Sequence, residues 1–458
     1  MANVCLIRLP FFKIHGIEKV HFPLSIGYLA AYLEKGGHKV SFIDGEVINY
    51  GLYEGLLHKG IINAMLFYAD PHFIYKRSAM VSSIMENENV KVWNILIEKI
   101  AQTKPDIIGI SCYTVNMTAA NILTMKSKRE IGNIPVVLGG IHPTSLPQKT
   151  LEEIRSADYV VVGEGEESFL DLINSLDKKG QLYQPIDGVV SRGSNNFKPR
   201  KLIQNLDSIP FSCTFCASHL TWTRKVRYRS VENVINELKA IKIKFNAKRI
   251  RILDDTFILN KKWVMEFCNA LKKNNMQFTF NCSGRIDTVD EELLKVLYES
   301  GFDSISFGIE SGSPRILKKI KKGIDLSKVV DIIKLANKYG FDTTSFYMTG
   351  HHGETLEDIK MSENLFKISM SKRGDLSMLV PYSKTEIGDE AERLGFKFGI
   401  DNYYKLHHVR NKVLFNMTKL SDEELLAEHN RFERIIRWRN YKTLLKKFVR
   451  LILYSVTK

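Results

Sequence analysis

Short apolar runs alternate with segments of helical periodicity in the first part of the chain, and this alternation constrains the fold more than any other feature of the sequence. The apolar runs between residue 1 and about residue 176 are ANVCLIRLP, HKVSFID, PDIIGISCY, IPVVLGG and ADYVVVG. Continuous apolar runs bounded by glycine are typical of strands buried on both faces, and the helices between them are the crossovers that parallel strands need. The pattern predicts a flavodoxin-like, doubly wound parallel sheet, whose ligands bind beyond the carboxyl ends of the strands.

A second alternation begins at Val231. Its apolar runs are RIRILDD, FTFNCSGR, SISFGIES and TTSFYMTG, and each is followed by a helical segment. Several of these runs end in polar residues, which is typical of a barrel that carries its site at the carboxyl rim. The sequence therefore predicts an α/β protein with an N-terminal parallel sheet, a partial (β/α) barrel and a C-terminal helical tail.

Changes in these patterns give the predicted domain boundaries. Residues 1–180 form the sheet domain, and residues 181–210 form a linker with a hairpin-like rhythm. Residues 211–390 form the barrel, and residues 391–458 form a basic helical region. A chain of this length is expected to bury more than one apolar core.

The formal net charge of +15 is locally concentrated in the tail, in RFERIIRWRNYKTLLKKFVRLILY at residues 431–454. Just upstream, Ser421 and Glu424 have the spacing of a capping box, so a helix is predicted to begin there. Apolar residues at helical spacing among basic ones indicate a helix that packs on the core with a solvated basic face. They also permit peripheral contact with a membrane or an acidic partner. No nucleic-acid recognition motif accompanies the charge, so no nucleic-acid partner is predicted.

The six cysteines lie at positions 5, 112, 213, 216, 268 and 282, and no secretory signal precedes the first apolar run. This usage is typical of a reducing compartment, and a cytoplasmic protein is predicted. The chain has no run of about 18 uncharged apolar residues that would indicate a membrane span. The close pair Cys213 and Cys216 then indicates metal or redox chemistry.

Two sets of motifs together resemble the cobalamin-binding, class B methyltransferase-like proteins of the radical S-adenosylmethionine superfamily. The first half carries PLSIGYLAAYLEKGGHKVSFID, PDIIGIS, VVLGGIHPT and ADYVVVGEGEESFLDLI, and the second carries CTFC, ILDDTF, CSGRID, SFGIESGSPRILKKIKKG and TGHHGETLEDI. The resemblance implies three cofactors: cobalamin, a 4Fe-4S cluster and S-adenosylmethionine. It also implies C-methylation or cyclisation at an unactivated carbon through an adenosyl radical, with a small-molecule substrate and an electron donor such as flavodoxin or ferredoxin. The positive tail indicates that this substrate is anionic or lipid-like.

The resemblance implies that cobalamin lies over the glycine-rich strand ends, where the absence of β-carbons lets the backbone approach a flat ligand. The candidate residues for this contact are Ser111, Gly139, Gly140, His142, Gly163, Glu164, Gly165 and Glu166. The D-x-H-x-x-G motif, which supplies an axial histidine in another cobalamin class, is absent here, so His142 is interpreted as a hydrogen-bonding or structural residue. The alternative is an empty flavodoxin-like domain in which these glycines only form tight turns.

In the barrel, the resemblance makes Cys213 and Cys216 the second and third cysteines that ligate the cluster. The other candidates are Phe215 near the adenine, Asp254 and Asp255 at the aminoacyl group, Arg285 at its carboxylate, and Glu310 and Ser311 at the ribose or the aminoacyl group. Salt bridges at the rim without any ligand are the alternative for these charged residues. His351 and His352 are candidates for substrate or cofactor contact, with turn residues as the alternative.

The family pattern C-x-x-x-C-x-x-C is incomplete here, because Ile209 stands where the first cysteine belongs. One hypothesis is therefore a cobalamin-binding pseudoenzyme that has lost its cluster through a deletion before Cys213. Another is a stand-in ligand such as Cys112. A third is a zinc or dithiol protein that uses Cys268 and Cys282 as well, although their spacing does not resemble a compact zinc module.

Overall fold

The fold is that of a computed structural model, which describes residues 1–14, 23–51, 80–177, 180–193, 197–200, 207–208, 213–218, 225–226, 228–403 and 413–456. The strands are β1 (Asn3–Arg8), β2 (Lys39–Asp44), β3 (Ile107–Ser111), β4 (Val136–Gly139), β5 (Tyr159–Val161), β6 (Val189–Ser191), β7 (Asp207–Ser208), β8 (Lys225–Val226), β9 (Arg249–Arg251), β10 (Thr279–Gly284), β11 (Phe302–Glu310), β12 (Asp342–Thr349) and β13 (Arg373–Met378). The helices are α1 (Phe11–Ile14), α2 (Leu24–Lys35), α3 (Lys91–Gln102), α4 (Met117–Glu130), α5 (Ile141–Ser145), α6 (Pro147–Glu153), α7 (Gly165–Ser175), α8 (Val231–Phe245), α9 (Lys261–Lys273), α10 (Glu291–Glu299), α11 (Pro314–Lys319), α12 (Leu326–Tyr339), α13 (Leu356–Ser369), α14 (Glu386–Arg393), α15 (Ile400–Tyr403) and α16 (Asp422–Val456).

The first sheet has six strands in the order β2-β1-β3-β4-β5-β6. The strands β1 to β5 pair in parallel, and β6 pairs antiparallel with β5. The order 2-1-3-4-5 is that of flavodoxin-like folds, which confirms the predicted doubly wound sheet. Val189 and Val190 of β6 are buried. Part of the predicted linker is therefore an edge strand of this sheet.

The side chains of the central strands alternate between two apolar layers. Cys5 and Ile7 of β1 belong to one layer, together with the fully buried Trp93 of α3. Val4 and Leu6 belong to the other layer, which includes apolar residues of α2 and α7. The sheet is thus covered on both faces, as its continuous apolar strands require.

The second sheet has five parallel strands in the order β13-β12-β11-β10-β9. A helix precedes each strand, which confirms the predicted partial (β/α) barrel. The apolar pattern does not reveal β13, because its sequence RGDLSM is polar and Asp375 and Ser377 are exposed. This strand is defined by its pairing with β12 and by the helix α16 that packs on it.

The long helix α16 begins at the predicted capping box. The amide of Ser421 donates to Glu424 Oε2 at 2.8 Å, and the amide of Glu424 donates to Ser421 Oγ at 3.2 Å. The helix runs antiparallel to β13, and the Asn440 side chain exchanges two 2.9 Å hydrogen bonds with the backbone of Gly374. Among the helices that the structure describes, none is both long and apolar enough to cross a bilayer.

Between the barrel and α16, the chain returns to the first domain. Phe398 and Tyr403 are buried in one apolar layer of the first sheet. Thr118 Oγ1 donates to the carbonyl of Ile400 at 2.8 Å, and Lys149 Nζ donates to the carbonyl of Phe398 at 3.0 Å. We name residues 396–403 the crossing segment, because Phe396 packs both on this layer and on the cluster of Leu379 and Ile387 that follows the barrel strands.

Candidate functional site

A cavity of about 300 Å³ lies at the carboxyl ends of the barrel strands. Its lining residues are Arg251, Ile252, Leu253, Asp254, Asp255, Thr256, Ser283, Gly284, Arg285, Ser306, Gly308, Glu310, Lys322 and Phe346. The sequence-predicted residues Asp254, Asp255, Arg285 and Glu310 therefore share one cavity. Parallel strands bring the residues that follow them to one edge of the sheet, which is why motifs far apart in sequence meet here.

The loop that carries Cys213 and Cys216 is fixed against this cavity by its backbone. The amide of Thr214 donates to the carbonyl of Ile320 at 3.1 Å, and the carbonyl of Thr214 accepts from the amide of Ile387 at 3.2 Å. The amide of Cys216 donates to the carbonyl of Cys213 at 3.2 Å, which closes the turn between the two thiols. Both cysteines are half-buried, so their thiols are held in place and remain accessible.

Two cations lie beside the Cys213 thiol. Arg285 Nη1 is 3.9 Å from Cys213 Sγ. Burial raises the pKa of this thiol, and the positive charges of Lys322 and Arg285 oppose that rise. On the other side of the loop, Ser218 Oγ donates to Asp255 Oδ2 at 2.7 Å, which ties the loop to the end of β9.

Lys322 is a site residue that the sequence analysis missed. Its Nζ donates to Glu310 Oε1 at 2.9 Å, and both side chains are largely buried. The same Nζ lies 5.9 Å from the centre of the Phe215 ring, so it connects the cysteine loop with the cavity. The sequence does not distinguish Lys322 from the other lysines of the run KKIKKG, which together suggest a solvated helix end.

A β-bulge directs the Glu310 carboxylate towards this lysine. The pairing of β11 with β12 shifts between Gly308 and Glu310, and Glu310 has a φ of +68°, in the left-handed region. A Cβ added at Gly308 would collide with the Glu310 carboxylate. Glycine at this position therefore makes room for the buried ion pair.

Arg285 is mostly engaged within the protein. Its Nε and Nη2 donate to the two oxygens of Asp287 at 3.0 and 2.8 Å, and Nη2 also donates to the carbonyl of Lys322 at 2.6 Å. Ser311 is fully buried, accepts the amide of Ser313 at 3.1 Å and does not line the cavity. Asp254 is exposed to the cavity, where partial desolvation by the surrounding protein raises the pKa of its carboxyl and the carboxylate of Asp255 adds to the rise, so a cation bound there would be stabilising.

The turn TGHHGET follows β12 and is buried. Burial lowers the pKa of His351 to about 4, although the backbone of Glu310 partly opposes this. Burial also raises the pKa of Glu354 to about 8, and its Oε2 accepts the amide of Gly350 at 2.7 Å. The Nδ1 atom of His352 lies against the Glu390 carboxylate. These contacts favour the interpretation of both histidines as turn residues.

The candidate cobalamin residues lie together at the carboxyl edge of the first sheet. Ser111 ends β3, and Gly139 ends β4. Gly140 has a φ of +102°, and a Cβ there would lie 2.6 Å from the carbonyl oxygen of Cys112. Gly163 has a φ of +79° and donates its amide to Thr144 Oγ1 at 3.0 Å. Glu164, Gly165 and Glu166 follow at the start of α7.

His142 is buried below this edge. Its Nδ1 is 3.2 Å from Thr114 Oγ1, and its ring packs edge-on against Tyr403 with 4.8 Å between ring centres. Burial lowers the pKa of His142 to about 4, with a smaller contribution from Lys149. The neutral, covered ring fits the interpretation of a hydrogen-bonding or structural histidine. Tyr403 comes from the crossing segment, some 260 residues later, so no local sequence pattern could have revealed the contact.

Two cysteines are the candidate ligands of the 4Fe-4S cluster among the described residues. Cys213 and Cys216 stand at the cavity as two cluster ligands would, and Ile209 lies outside the described residues. Within the described ranges, no group of three or more His, Cys, Asp or Glu side chains is placed to hold a metal ion. Cys112 is buried in the core of the first domain, where burial raises the pKa of its thiol.

The four-cysteine zinc hypothesis also finds no support. Cys268 and Cys282 are fully buried in the apolar core of the barrel, where burial raises the pKa of both thiols. Cys213 and Cys216, in contrast, are half-buried beside the polar cavity. The two pairs lie in different environments, and Cys268 has the apolar packing role that its helical sequence indicates.

Two family models match the chain: the B12 binding domain over residues 75–173 and the Radical SAM superfamily over residues 210–366. An uncharacterised methyltransferase of Pyrococcus horikoshii is 31% identical over 353 residues, which cover 68% of this chain and 77% of that protein. The cytidylyl-2-hydroxyethylphosphonate methyltransferase of Streptomyces wedmorensis is 24% identical over 484 residues, which cover 90% of this chain and 85% of that protein.

Among solved structures, the radical S-adenosylmethionine methyltransferase TsrM of Kitasatospora setae, with tryptophan and an S-adenosylmethionine analogue bound, has a TM-score of 0.65 at 16% identity. The superposition covers 86% of this chain and 76% of that chain, and it shows a common fold. The two family models confirm the predicted cofactors: cobalamin, S-adenosylmethionine and a 4Fe-4S cluster. On the evidence of both models and of the relative in Pyrococcus horikoshii, the chain belongs to the cobalamin-binding class of the radical S-adenosylmethionine superfamily.

Proposed function

We propose that this protein methylates an unactivated carbon of a small molecule in a radical reaction that uses S-adenosylmethionine and cobalamin. One observation carries the proposal: the loop of Cys213 and Cys216 is fixed directly against a cavity lined by charged residues at the barrel rim. The relatives of Pyrococcus horikoshii and Streptomyces wedmorensis are methyltransferases, at 31% and 24% identity, which supports methylation. A magnesium-protoporphyrin IX monomethyl ester cyclase of Rubrivivax gelatinosus also matches at 24% identity, so cyclisation is the alternative.

The residues of the chain have distinct roles in this proposal. Cys213 and Cys216 would hold the cluster, which supplies the electron that cleaves S-adenosylmethionine. Asp254 and Asp255 would accept hydrogen bonds from the amino group of that cofactor, and Phe215 would pack near its adenine. Arg285 would support the cysteine loop, Glu310 would contact the ribose or the aminoacyl group, and Ser311 would have a structural role. The residues that would contact cobalamin are Ser111, Gly139, Gly140, His142, Gly163, Glu164, Gly165 and Glu166.

We propose an anionic substrate, and Arg251 supports this choice. Its side chain is exposed, lines the cavity beside Leu253 and Phe346, and makes no hydrogen bond or ion pair within the described part of the chain. An exposed guanidinium in a cavity that Leu253 and Phe346 also line suits a carboxylate or a phosphonate on an apolar skeleton. Paired acids and neutral amides of one skeleton would test this: the acid should bind R251Q at least tenfold more weakly than wild type and bind R249Q normally.

The domain roles follow the predicted boundaries. Residues 1–180 would bind cobalamin, residues 181–210 would connect the domains and residues 211–390 would bind S-adenosylmethionine. The basic region 391–458 would touch membrane surfaces peripherally. A reducing compartment such as the cytoplasm would keep the two free thiols of the loop reduced, with flavodoxin or ferredoxin as the electron donor.

Anaerobic reconstitution tests the proposed function. Wild-type protein should bind about four iron atoms per chain and release 5′-deoxyadenosine on reduction. C213A and C216A should lose both properties, while C268A, which alters a buried core cysteine, should keep them. Cobalamin retained with less than one iron per chain would instead support the cluster-free pseudoenzyme, which the matches to both family models do not favour.

A further inference from the structure

The helices of the barrel end at the face opposite the cavity. Each of α8, α9, α10, α12 and α13 ends a few residues before the strand that follows it. Because these strands are parallel, all five helix ends lie at the amino edge of the sheet. We name this surface the amino-end face.

Large apolar side chains are exposed on this face. Ile243 and Phe245 at the end of α8 are 86% and 65% exposed, and Tyr298 at the end of α10 is 47% exposed. Ile368 and Met370 at the end of α13 are 49% and 62% exposed. Single exposed apolar residues are ordinary, but several large ones on one face indicate an interaction surface.

Lysines accompany these apolar residues. The last turns of four helices carry Lys242 and Lys244, Lys272 and Lys273, Lys338, and Lys367. Some of this charge is neutralised, since Lys272 pairs with Glu299 at 2.9 Å and Lys367 pairs with Glu363. The helix dipole alone favours lysine at these positions. It gives no reason for the exposed Ile243 and Phe245 between them.

The helix α16 reaches past the same edge of the sheet. Thr443 Oγ1 donates to the carbonyl of Lys372, just before β13, at 2.7 Å. From there α16 continues to Val456, which is about 20 Å of helix. Its exposed side includes Leu445 and Val449 at 41% and 45% exposure.

About one turn before Thr443, α16 also carries an aromatic pair. Trp438 is 59% exposed and stacks on Tyr441 with 5.8 Å between ring centres. Lys442 Nζ lies 5.1 Å from the centre of the Trp438 ring. Exposed tryptophan next to lysine is typical of helices that lie at a lipid–water interface, where the ring enters the headgroup region and the amine stays at the phosphates.

We propose that the amino-end face and the end of α16 together dock on an anionic lipid bilayer, which leaves the cavity on the far side. The apolar side chains are distributed across the whole face among lysines. A flat, fluid, anionic surface can receive such dispersed contacts at once, whereas a protein partner needs a contiguous complementary patch. This proposal extends the membrane contact proposed above for residues 391–458 to the amino-end face, and it does not depend on the chemistry at the cavity.

Co-flotation of the full-length protein with vesicles tests it. We expect binding to vesicles of phosphatidylcholine with about 30% phosphatidylglycerol, at least fivefold weaker binding to pure phosphatidylcholine, and loss of binding in high salt. The double variant I243E/F245E should lower the bound fraction at least fivefold, and W438E should lower it as well. The matched control V47E alters an apolar residue of the first domain that is 57% exposed, and it should bind like wild type.

Three outcomes would overturn the proposal. The first is equal binding of I243E/F245E and wild type, and the second is equal binding to neutral and anionic vesicles. The third is a dimer, seen by light scattering, that I243E/F245E dissociates while the wild type binds no vesicles. Iron content and S-adenosylmethionine binding should be unchanged in all these variants, which separates this test from that of the proposed function.

Discussion

The buried ion pair of Lys322 and Glu310 at the cavity can be tested by mutagenesis. K322M would leave the Glu310 carboxylate buried without its partner, so we expect a loss of about 3 kcal/mol in the free energy of unfolding. Adding E310Q to K322M should recover much of it, because position 310 then no longer carries an unpaired buried charge. The measurement is chemical unfolding of the three proteins.

The neighbouring Lys321 supplies the control for this change. It pairs with Glu386 on the surface, where both side chains are about half exposed. We expect K321M to cost less than about 1 kcal/mol, since exposed ion pairs contribute little. Equal losses for K321M and K322M would show that the buried pair is unimportant for stability.

Glu354 predicts a pH dependence of stability. Burial raises its pKa to about 8 in the folded state, whereas the unfolded value is near 4.5. The folded state thus holds a proton that the unfolded state releases between these values, and stability falls as pH rises through this window, by at most about 1.4 kcal/mol per pH unit. E354Q removes this titration, so the stability of the variant relative to wild type, measured by thermal unfolding, should increase from pH 5 to 8. A constant difference would refute the assignment.

At this scale, motifs predicted the cavity well. Cys213, Asp254 and Arg285 follow strands or belong to a recognisable motif, and the structure brings them together. Lys322 was missed because its burial depends on a loop that packs beside Phe215, and neighbouring lysines in the same run are exposed. Charge in a sequence does not show which lysine the tertiary fold covers.

Among the elements, the short helix α15 is important because it positions Tyr403. It places Tyr403 over His142 and next to Glu153, whose Oε1 lies 3.5 Å from the Tyr403 hydroxyl. Y403A should lower the free energy of unfolding by about 3 kcal/mol, and Y403F by less than about 1 kcal/mol, because the ring does the packing. Solvent entering Y403A should also raise the pKa of His142 from about 4, which NMR titration would detect. An unchanged pKa would contradict this role.

The pattern of apolar residues predicted the strands that are buried on both faces, but it did not predict β6 and β13. β6 was assigned to a linker because three residues pairing at a sheet edge give too short a pattern. β13 was missed because one of its faces is polar and exposed, so only the contacts of α16 on the other face define it. Both strands depend on partners that come from elsewhere in the chain.

For the whole molecule, the order of the two domains could be predicted from the order of their motifs, but their connection could not. The crossing segment and α16 follow each other in sequence, yet Phe398 is buried in the first domain and Phe432 in the barrel. Contacts between residues so far apart leave no periodic signal in the sequence. The predicted C-terminal region therefore serves the cores of both domains.

This arrangement predicts that the two domains unfold together. Phe398 packs in the first-domain core, and the neighbouring Phe396 packs against the cluster of Leu379 and Ile387 that follows the barrel strands, so loosening the crossing segment exposes apolar surface on both sides of the junction. F398A should cost about 3 kcal/mol and shift one common transition. Calorimetry and hydrogen exchange of both sheets measure this. The matched variant F396A, in a half-buried position, should shift it less, and two separate transitions in the wild type would show that the domains are stabilised independently.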